Sequence, residues 1–527
     1  MSLFQPSFWN KVKAKSSSNW FEFLLLTCIF GGFISVFSLF DWWFRSLHVT
    51  NRIYFYIISL FLWSGIFRIV LNWYQLARVK PSPVDSPSAG IFSVAIFTTA
   101  APGEPLSMFE TTFRALSKLE YPCTIYFLDG TNDPAYKELS NQFGFQHFDF
   151  SEVQGAKAGK INEALKQTTE EIIFILDPDH IVFPSFLNEV VGFFANQEIG
   201  FVQVSQGYYN QYRSPVAKAA AEQTYLFYGP TQRYYGSNNK SIAIGANCVF
   251  RRSALEHIGG HAQGLAEDLL TSLRIHAAGW KSIYHPIIVN RGLVPEDFDS
   301  FSKQQLKWAR GLFEVLFDEY PKVFKHLSLS AKFRYWTIGT FYLVGIRTLF
   351  FLLVPILYFL FGWSALNMSF SEFLIRAMPF AVFAFLIYLL SQRFLVDYQS
   401  EKGVYWRGML MKFASWPVFT YAFYLTLINK KIPYLPTAKR GNSTISIFFW
   451  PLLIYLALLV FSIGYHFYAT QLSSKSKLNF EIQQQTLGML SFSIIACLQH
   501  ISAIILILRS SKVQYTDAWD EVDNYLT

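Results

Sequence analysis

The sequence predicts an α/β domain inserted between transmembrane α-helices, in a multi-pass membrane protein. Two observations carry that reading. Runs of roughly 20 apolar residues, the length that spans a bilayer, stand at both ends of the 527-residue chain, while its middle has ordinary soluble composition. Within that middle, short β-rich runs alternate with helical patterns, which argues for parallel strands with crossover helices. The whole chain is 52% hydrophobic and only 15% charged, more apolar than soluble domains are.

The apolar runs are Phe23–Phe40, Ile53–Leu71, Trp336–Trp363, Ala377–Leu395, Ile445–Tyr468 and Thr486–Leu508, with a further stretch at Met409–Leu427. They divide the chain into an N-terminal hairpin (1–80), a central domain (81–334) and a C-terminal helical region (335–527). The first run lacks a small-residue cleavage site and is followed closely by the second, so it reads as an anchor and not as a signal peptide. Lys11, Lys13 and Lys15 precede the first run, and Arg78 and Lys80 follow the second; by the positive-inside rule both flanks face the cytosol. The central domain is then cytosolic, at the plasma membrane (a bacterial inner membrane). Lys402, Arg407, Lys412, Lys430, Lys431, Lys439 and Arg440 share that side only if Met409–Leu427 does not cross, which makes about 406–428 an interfacial helix lying in membrane lipid.

This flanking bias accounts for the net charge of +8 and calls for no nucleic-acid partner. Cys28, Cys123, Cys248 and Cys497 are far apart and lack metal-ligand spacing, so they read as reduced thiols.

In the central domain the expected strands are Ser93–Thr99, Thr124–Leu128, Ile172–Leu176, Phe201–Val204, Ala243–Phe250 and Ser282–Tyr284, with helices at Ser107–Lys118 and Ile161–Gln167. Open α/β sheets bind ligands beyond the carboxyl ends of their strands. Two such ends carry acids: Asp129 follows Leu128, and Asp177-Pro178-Asp179-His180 follows Leu176. An Asp-Pro-Asp run alone is commonly a turn. After a buried strand, alternate carboxylates can hold a hard divalent cation, which also takes phosphate oxygens from a substrate. Between the acids, Gly155 to Asn162 places Lys157 and Lys160 in a small-residue loop opening a helix, a setting that suits a diphosphate. Ala266-Glu267-Asp268 precedes a helix, and Gln304-Gln305-Leu306-Lys307-Trp308 lies further on.

In this order, and flanked by membrane spans, these motifs resemble those of the processive cellulose synthase superfamily, over about Phe92 to Gly441. Gly155 to Asn162, Phe227-Tyr228-Gly229 with Gln232, and Gly245 to Arg252 look like smaller segments of the same family. His180 and Tyr208-Tyr209-Asn210 look more like those of cellulose and other β-glucan synthases than those of hyaluronan or chitin synthases. Tyr434-Leu435-Pro436-Thr437-Ala438-Lys439 is similar to the family's gating loop, placed at about 430–442.

The resemblance implies a Rossmann-like GT-A domain and an inverting hexosyltransferase that extends a growing polysaccharide acceptor from a UDP-sugar donor, UDP-glucose favoured. Asp268 is then the base, with Glu267 orienting it. Asp179 and Asp177 hold magnesium or manganese. Asp129 contacts the nucleoside, Asp177 lies beside the nucleotide, and Lys157, Lys307, Thr437 and Lys439 surround the diphosphate. Trp308 stacks on the acceptor sugar, Gln304 bonds beside it, and the helical bundle conducts the polymer outward, with export partners unspecified. The family's threonine, arginine and phenylalanine are here Ala266, Lys307 and Tyr434. Lysine lacks a planar fork for phosphate, and Arg310 is the nearest cation that could compensate. About 19 residues follow the last run, too few for a cyclic-dinucleotide-binding domain. Arg347, inside the third run, is expected to face the bundle interior; Gln499 and His500 hint weakly at the same.

Other readings are a synthase of hyaluronan, chitin or poly-N-acetylglucosamine type, a transferase that glycosylates a lipid carrier, and a transporter whose domain binds nucleotide. Gln304 to Trp308 and Tyr434 to Lys439 argue against the lipid-directed reading. The sequence lacks the internal repeat of many transporters.

Overall fold

The computed structural model describes residues 12–13, 19–45, 49–80, 92–366, 370–432, 444–472, 480–511 and 517–526. Its centre is a seven-stranded sheet. In chain order the strands are β1 (Val94–Thr99), β2 (Thr124–Asp129), β3 (Gln146–Asp149), β4 (Ile172–Leu176), β5 (Ile199–Val204), β6 (Cys248–Arg251) and β7 (Lys281–His285). Their order across the sheet is β7-β5-β6-β4-β1-β2-β3. Six strands run parallel and β6 runs antiparallel between β4 and β5, so the sheet is mixed and not wholly parallel as the alternation of strands and helices predicts.

Strand side chains alternate between faces, and here both faces are covered. Ile96, Phe127, Ile172 and Phe174 pack into one core with Phe109 and Phe113, while Ala95, Phe97, Ile173 and Ile175 pack into the other with Ile161 and Phe250. That two-sided burial is why β1 and β4 read as continuous apolar runs. The expected strand Ala243–Phe250 is shorter than its apolar run, because Gly245–Asn247 forms a single 3-10 turn before β6.

The helices that bear on function are α1 (Leu106–Leu116), α2 (Ala156–Gln167), α3 (Pro215–Leu226), α4 (Glu267–Ala277) and α5 (Phe298–Glu314), followed by α6 (Trp406–Ala414), α7 (Trp416–Leu427) and α8 (Ala518–Leu526). Asp297 caps α5 by accepting from the Ser300 amide and hydroxyl at 2.8 and 2.7 Å. Helix α2 starts five residues earlier than its apolar pattern, at a left-handed Gly155.

Six helices among the described residues are long and apolar enough to cross a membrane: Asn19–Trp43, Arg52–Leu76, Phe341–Phe361, Phe370–Phe394, Ile447–Gln471 and Gln483–Ser510. The chain is a multi-pass membrane protein. The run from Trp336 to Trp363 breaks at Gly339, where one helix ends before the crossing helix starts. Helices α6 and α7 have 9 and 12 residues and meet at Ser415, and each is shorter than a bilayer requires. The bundle is seated directly on the α/β domain: the Ser510 hydroxyl, ending the last span, accepts the Val216 amide at 3.1 Å at the start of α3.

Candidate active site

Beyond the carboxyl end of β4 the chain turns through Asp177-Pro178-Asp179-His180. Donor atoms of Asp177, Asp179 and His180 all lie within 4.8 Å of one another. The Gln206 amide fixes the chemistry of this turn. One of its N–H groups faces His180 Nε2 at 3.0 Å, the other donates to the Gly207 carbonyl, and its oxygen accepts from Asn247. An amide nitrogen can only donate, so His180 Nε2 accepts and Nδ1–H donates to Asp179 Oδ1 at 3.0 Å. His180 thereby positions Asp179 as a ligand-holding imidazole or carboxylate partner does in metal sites. Two carboxylates with a neighbouring imidazole suit magnesium or manganese, and this donor set fits a divalent cation.

Lys157, at the start of α2, reaches Asp177 Oδ1 at 2.6 Å. Burial works against its charge, but Asp177, Glu267 and Asp268 outweigh burial and hold its pKa above the ordinary value. Lys160, three residues on in the same helix, does not join it. Its ammonium is buried and donates to the Ala100 carbonyl, and that burial lowers its pKa. Of the two lysines, Lys157 is the one among the acids.

The second pair of acids begins α4. The Gly245 amide donates to Asp268 Oδ2 at 2.8 Å, and the Leu269 amide donates to Oδ1 at 2.7 Å. Gly245 has φ +51°, and a Cβ there would sit 3.8 Å from Asp177 Oδ2. This one residue, in a conformation glycine adopts freely, touches both the β4 turn and Asp268. Burial pushes the pKa of Asp268 up against those two amides, Lys157 and Lys307. Burial and then the Asp268 charge push Glu267 up as well, against Lys157 and Lys307. A carboxylate kept basic among cations is suited to accepting a proton.

Helix α5 brings in the third group. A Cβ on Gly311 would meet the Ala266 nitrogen at 2.8 Å and the Ala266 Cβ at 2.9 Å. The helix can therefore lie directly on the start of α4, where the alanine at 266 fits that close contact. One turn earlier on α5, Lys307 is near enough to act on both acids. The Trp308 ring remains 37% exposed, open to a ligand, and Gln304 is partly exposed one turn before it. Arg310 does not stand with Lys307. It is buried, pairs with Glu314 at 3.0 Å and donates to the Lys430 carbonyl. Its place is as a tie between α5 and the segment leading toward 434–439. Thr437 and Lys439 lie outside the described residues.

Asp129 ends β2, buried. Its Oδ1 accepts the Thr131 amide and hydroxyl at 2.8 and 2.7 Å, and its Oδ2 faces His147 Nε2 at 3.0 Å. His147 belongs to β3, a strand absent from the sequence expectation. Gln206 was equally unexpected, although it follows a buried strand end just as Asp129 and Asp177 do. Within the bundle, His500 is locked in packing, with Nδ1 on the Ala496 carbonyl and its ring stacked on Tyr455 at 4.4 Å.

Residues 172–396 match the family model described as glycosyl transferase family group 2. The chain is 28% identical over 293 residues to a cellulose synthase catalytic subunit (UDP-forming) of Komagataeibacter sucrofermentans, covering 54% of this chain and 38% of that protein. In this region the chain is similar to glycosyltransferases of the cellulose synthase type. The corresponding subunit of Xanthomonas axonopodis pv. citri is 27% identical over 290 residues, covering 53% of this chain and 40% of that protein. The chain thus spans about four-tenths of the length of these relatives. Among solved structures, a mannosyltransferase of Pyrobaculum calidifontis in complex with GDP-Man and Mn2+ overlays with a TM-score of 0.39 at 15% identity, over 84% of this chain and 98% of that one. The mixed sheet with acids at its strand ends agrees with the α/β fold expected of the central domain.

Proposed function

We propose that the protein is a processive, inverting hexosyltransferase that builds a β-glucan from UDP-glucose on the cytosolic side and passes the polymer through its own bundle. The observation that carries this reading is the convergence at Gly245 and Gly311. There the Asp177–Asp179 turn, the raised acid Asp268 and the helix bearing Trp308 come together beneath the membrane helices.

In this reading Asp268 takes the proton of the acceptor hydroxyl as that oxygen attacks the anomeric carbon, and Glu267 and the Gly245 amide hold it in place. Asp179, held by His180, and Asp177 are the residues that would bind magnesium or manganese, which offsets charge on the departing diphosphate. Lys157 and Lys307 add positive charge beside that leaving group, as would Thr437 and Lys439. Asp129 serves the nucleoside. Trp308 offers an apolar face to the acceptor pyranose, and Gln304 a hydrogen bond.

A path through the bundle is supported where Arg68, Lys412 and Arg347 gather. The first two lie over the Phe341 ring at 5.8 and 4.5 Å, and Arg347 lies against Gly65 of the second span. Tyr342, next to Phe341, donates toward Gln305 of α5. A cluster of cations at the head of the bundle favours a wet interior.

The test is incorporation of labelled UDP-glucose into high-molecular-weight product by the purified protein, followed by linkage-specific β-glucanases. Product cut by one of them names the linkage. Polymer made only from an N-acetylated or uronic donor would replace the glucan with a product of hyaluronan or chitin type.

A further inference from the structure

We propose that α8, the helix after the last membrane span, is a positioning strut for the Asp177–Asp179 turn, with Trp519 and Glu521 as its two grips. Trp519 is fully buried in the catalytic domain's own core, and its Nε1–H donates to the Ser107 hydroxyl of α1 at 3.0 Å. The same core contains Ile181 and Val182, the residues immediately after the metal-binding turn, and Tyr209. Helix α1 reaches the turn itself: Thr112, on its far half, donates its hydroxyl to the Pro178 carbonyl, between the two aspartates. A tryptophan from the chain's far end therefore backs the helix that holds the turn.

The second grip approaches from the other side. Glu521 pairs with Arg213, which also pairs with Glu296 at 2.9 Å. Glu296 accepts from Asn210 at 2.9 Å, and Asn210 is tied twice more to Val294 at 2.8 and 2.9 Å. This network fixes the segment carrying Tyr209, whose hydroxyl is buried near enough to Asp179 to feel its charge. The Tyr209 amide also donates to the Gly292 carbonyl at 3.2 Å, and Gly292 backs the His180 ring. Both routes end on the residues that present Asp179. Trp519 meets the Ser107 hydroxyl and Glu521 meets Arg213, so they act through the turn. The inference rests on the reading of that turn as a cation site and not on the identity of the polymer.

The test uses the full chain in lipid nanodiscs, with Mn2+ affinity in the presence of UDP read by electron paramagnetic resonance. Trp519→Ala should weaken Mn2+ binding about tenfold, in line with losses at outer-shell partners, while UDP binding without metal is unchanged. Trp519→Phe should restore most of it. Glu521→Lys should weaken it in the same direction but less, and a chain ending at Ser511 should weaken it at least as much as Trp519→Ala. Unchanged Mn2+ affinity in the truncated chain, with metal-free UDP binding intact, would overturn the strut. Loss of metal-free UDP binding in every variant would overturn it too, because the helix would then hold the whole domain and not the turn. A wild type that binds Mn2+ with UDP yet makes no polymer would remove the processive function and leave the strut standing.

Discussion

The two acid clusters of the site are each built around a pair of carboxylates, yet their surroundings differ. At the β4 turn Asp179 stands at the end of a hydrogen-bonded relay, Asn247 to Gln206 to His180 to Asp179. At the start of α4, Glu267 and Asp268 lie side by side, and burial raises both pKa values against two lysines and two amides. The first arrangement fixes an oxygen in space, as a cation ligand requires. The second raises proton affinity, as a base requires. Carboxylates alone do not separate the roles; their neighbours do.

The largest effect should come from breaking the second cluster. Asp268→Asn should lower kcat by about 10²- to 10⁴-fold, the usual worth of general base catalysis, with donor binding retained in a binding assay. Retained turnover would remove Asp268 from the chemistry. In the first cluster, His180→Ala should cost about 10- to 100-fold in Mn2+ affinity, measured by metal titration, without changing the pH profile of whatever activity remains. A shift of that profile would merge the two clusters into one titrating unit.

A smaller effect sharpens the contrast. Because the pKa of Asp268 is raised, activity should fall on the acid side at a higher pH than an ordinary carboxylate would give, as the base becomes protonated. Lys157 opposes that rise, so Lys157→Met should move the acid limb of the kcat profile to still higher pH. No movement would show that Lys157 acts on the donor alone.

Glu401, which belongs to neither cluster, serves as the control and has the smallest expected effect. Burial first, then Asp397, pushes its pKa up to about 8 from an ordinary 4.5. The folded state holds this proton more tightly than the unfolded one. The stability it contributes is present in full below about 4.5 and is lost as pH rises to about 8. Glu401→Gln should flatten the fall in melting temperature between pH 5 and 8, leaving kcat unaltered. An activity loss would show that a raised carboxylate here does more than pack.

Much of the catalytic domain was legible because its signals are local. A buried strand shows as an unbroken apolar run, and Asp129 and Asp177 announce themselves by following one. β3 was not legible: Gln146–Asp149 is a half-exposed edge strand of mixed polarity, without a run to find. β6 was legible as a strand and illegible as an antiparallel one, since direction depends on which neighbours it meets. Arg310 misled for a similar reason. Three residues after Lys307 on a helix it shares roughly a face, but Glu314 and the Lys430 carbonyl are what it meets.

By itself, then, the sequence determined the membrane runs, the α/β alternation and the identity and order of the acids, because hydrophobicity, periodicity and strand-end position are properties of neighbouring residues. Tertiary structure alone decided what surrounds each acid. Asp177 and Asp268 are 91 positions apart, and only packing sets Gly245 between them and Gly311 against Ala266. Proton affinity and ligand geometry depend on distance and burial in space, and those quantities exist only once the chain has folded.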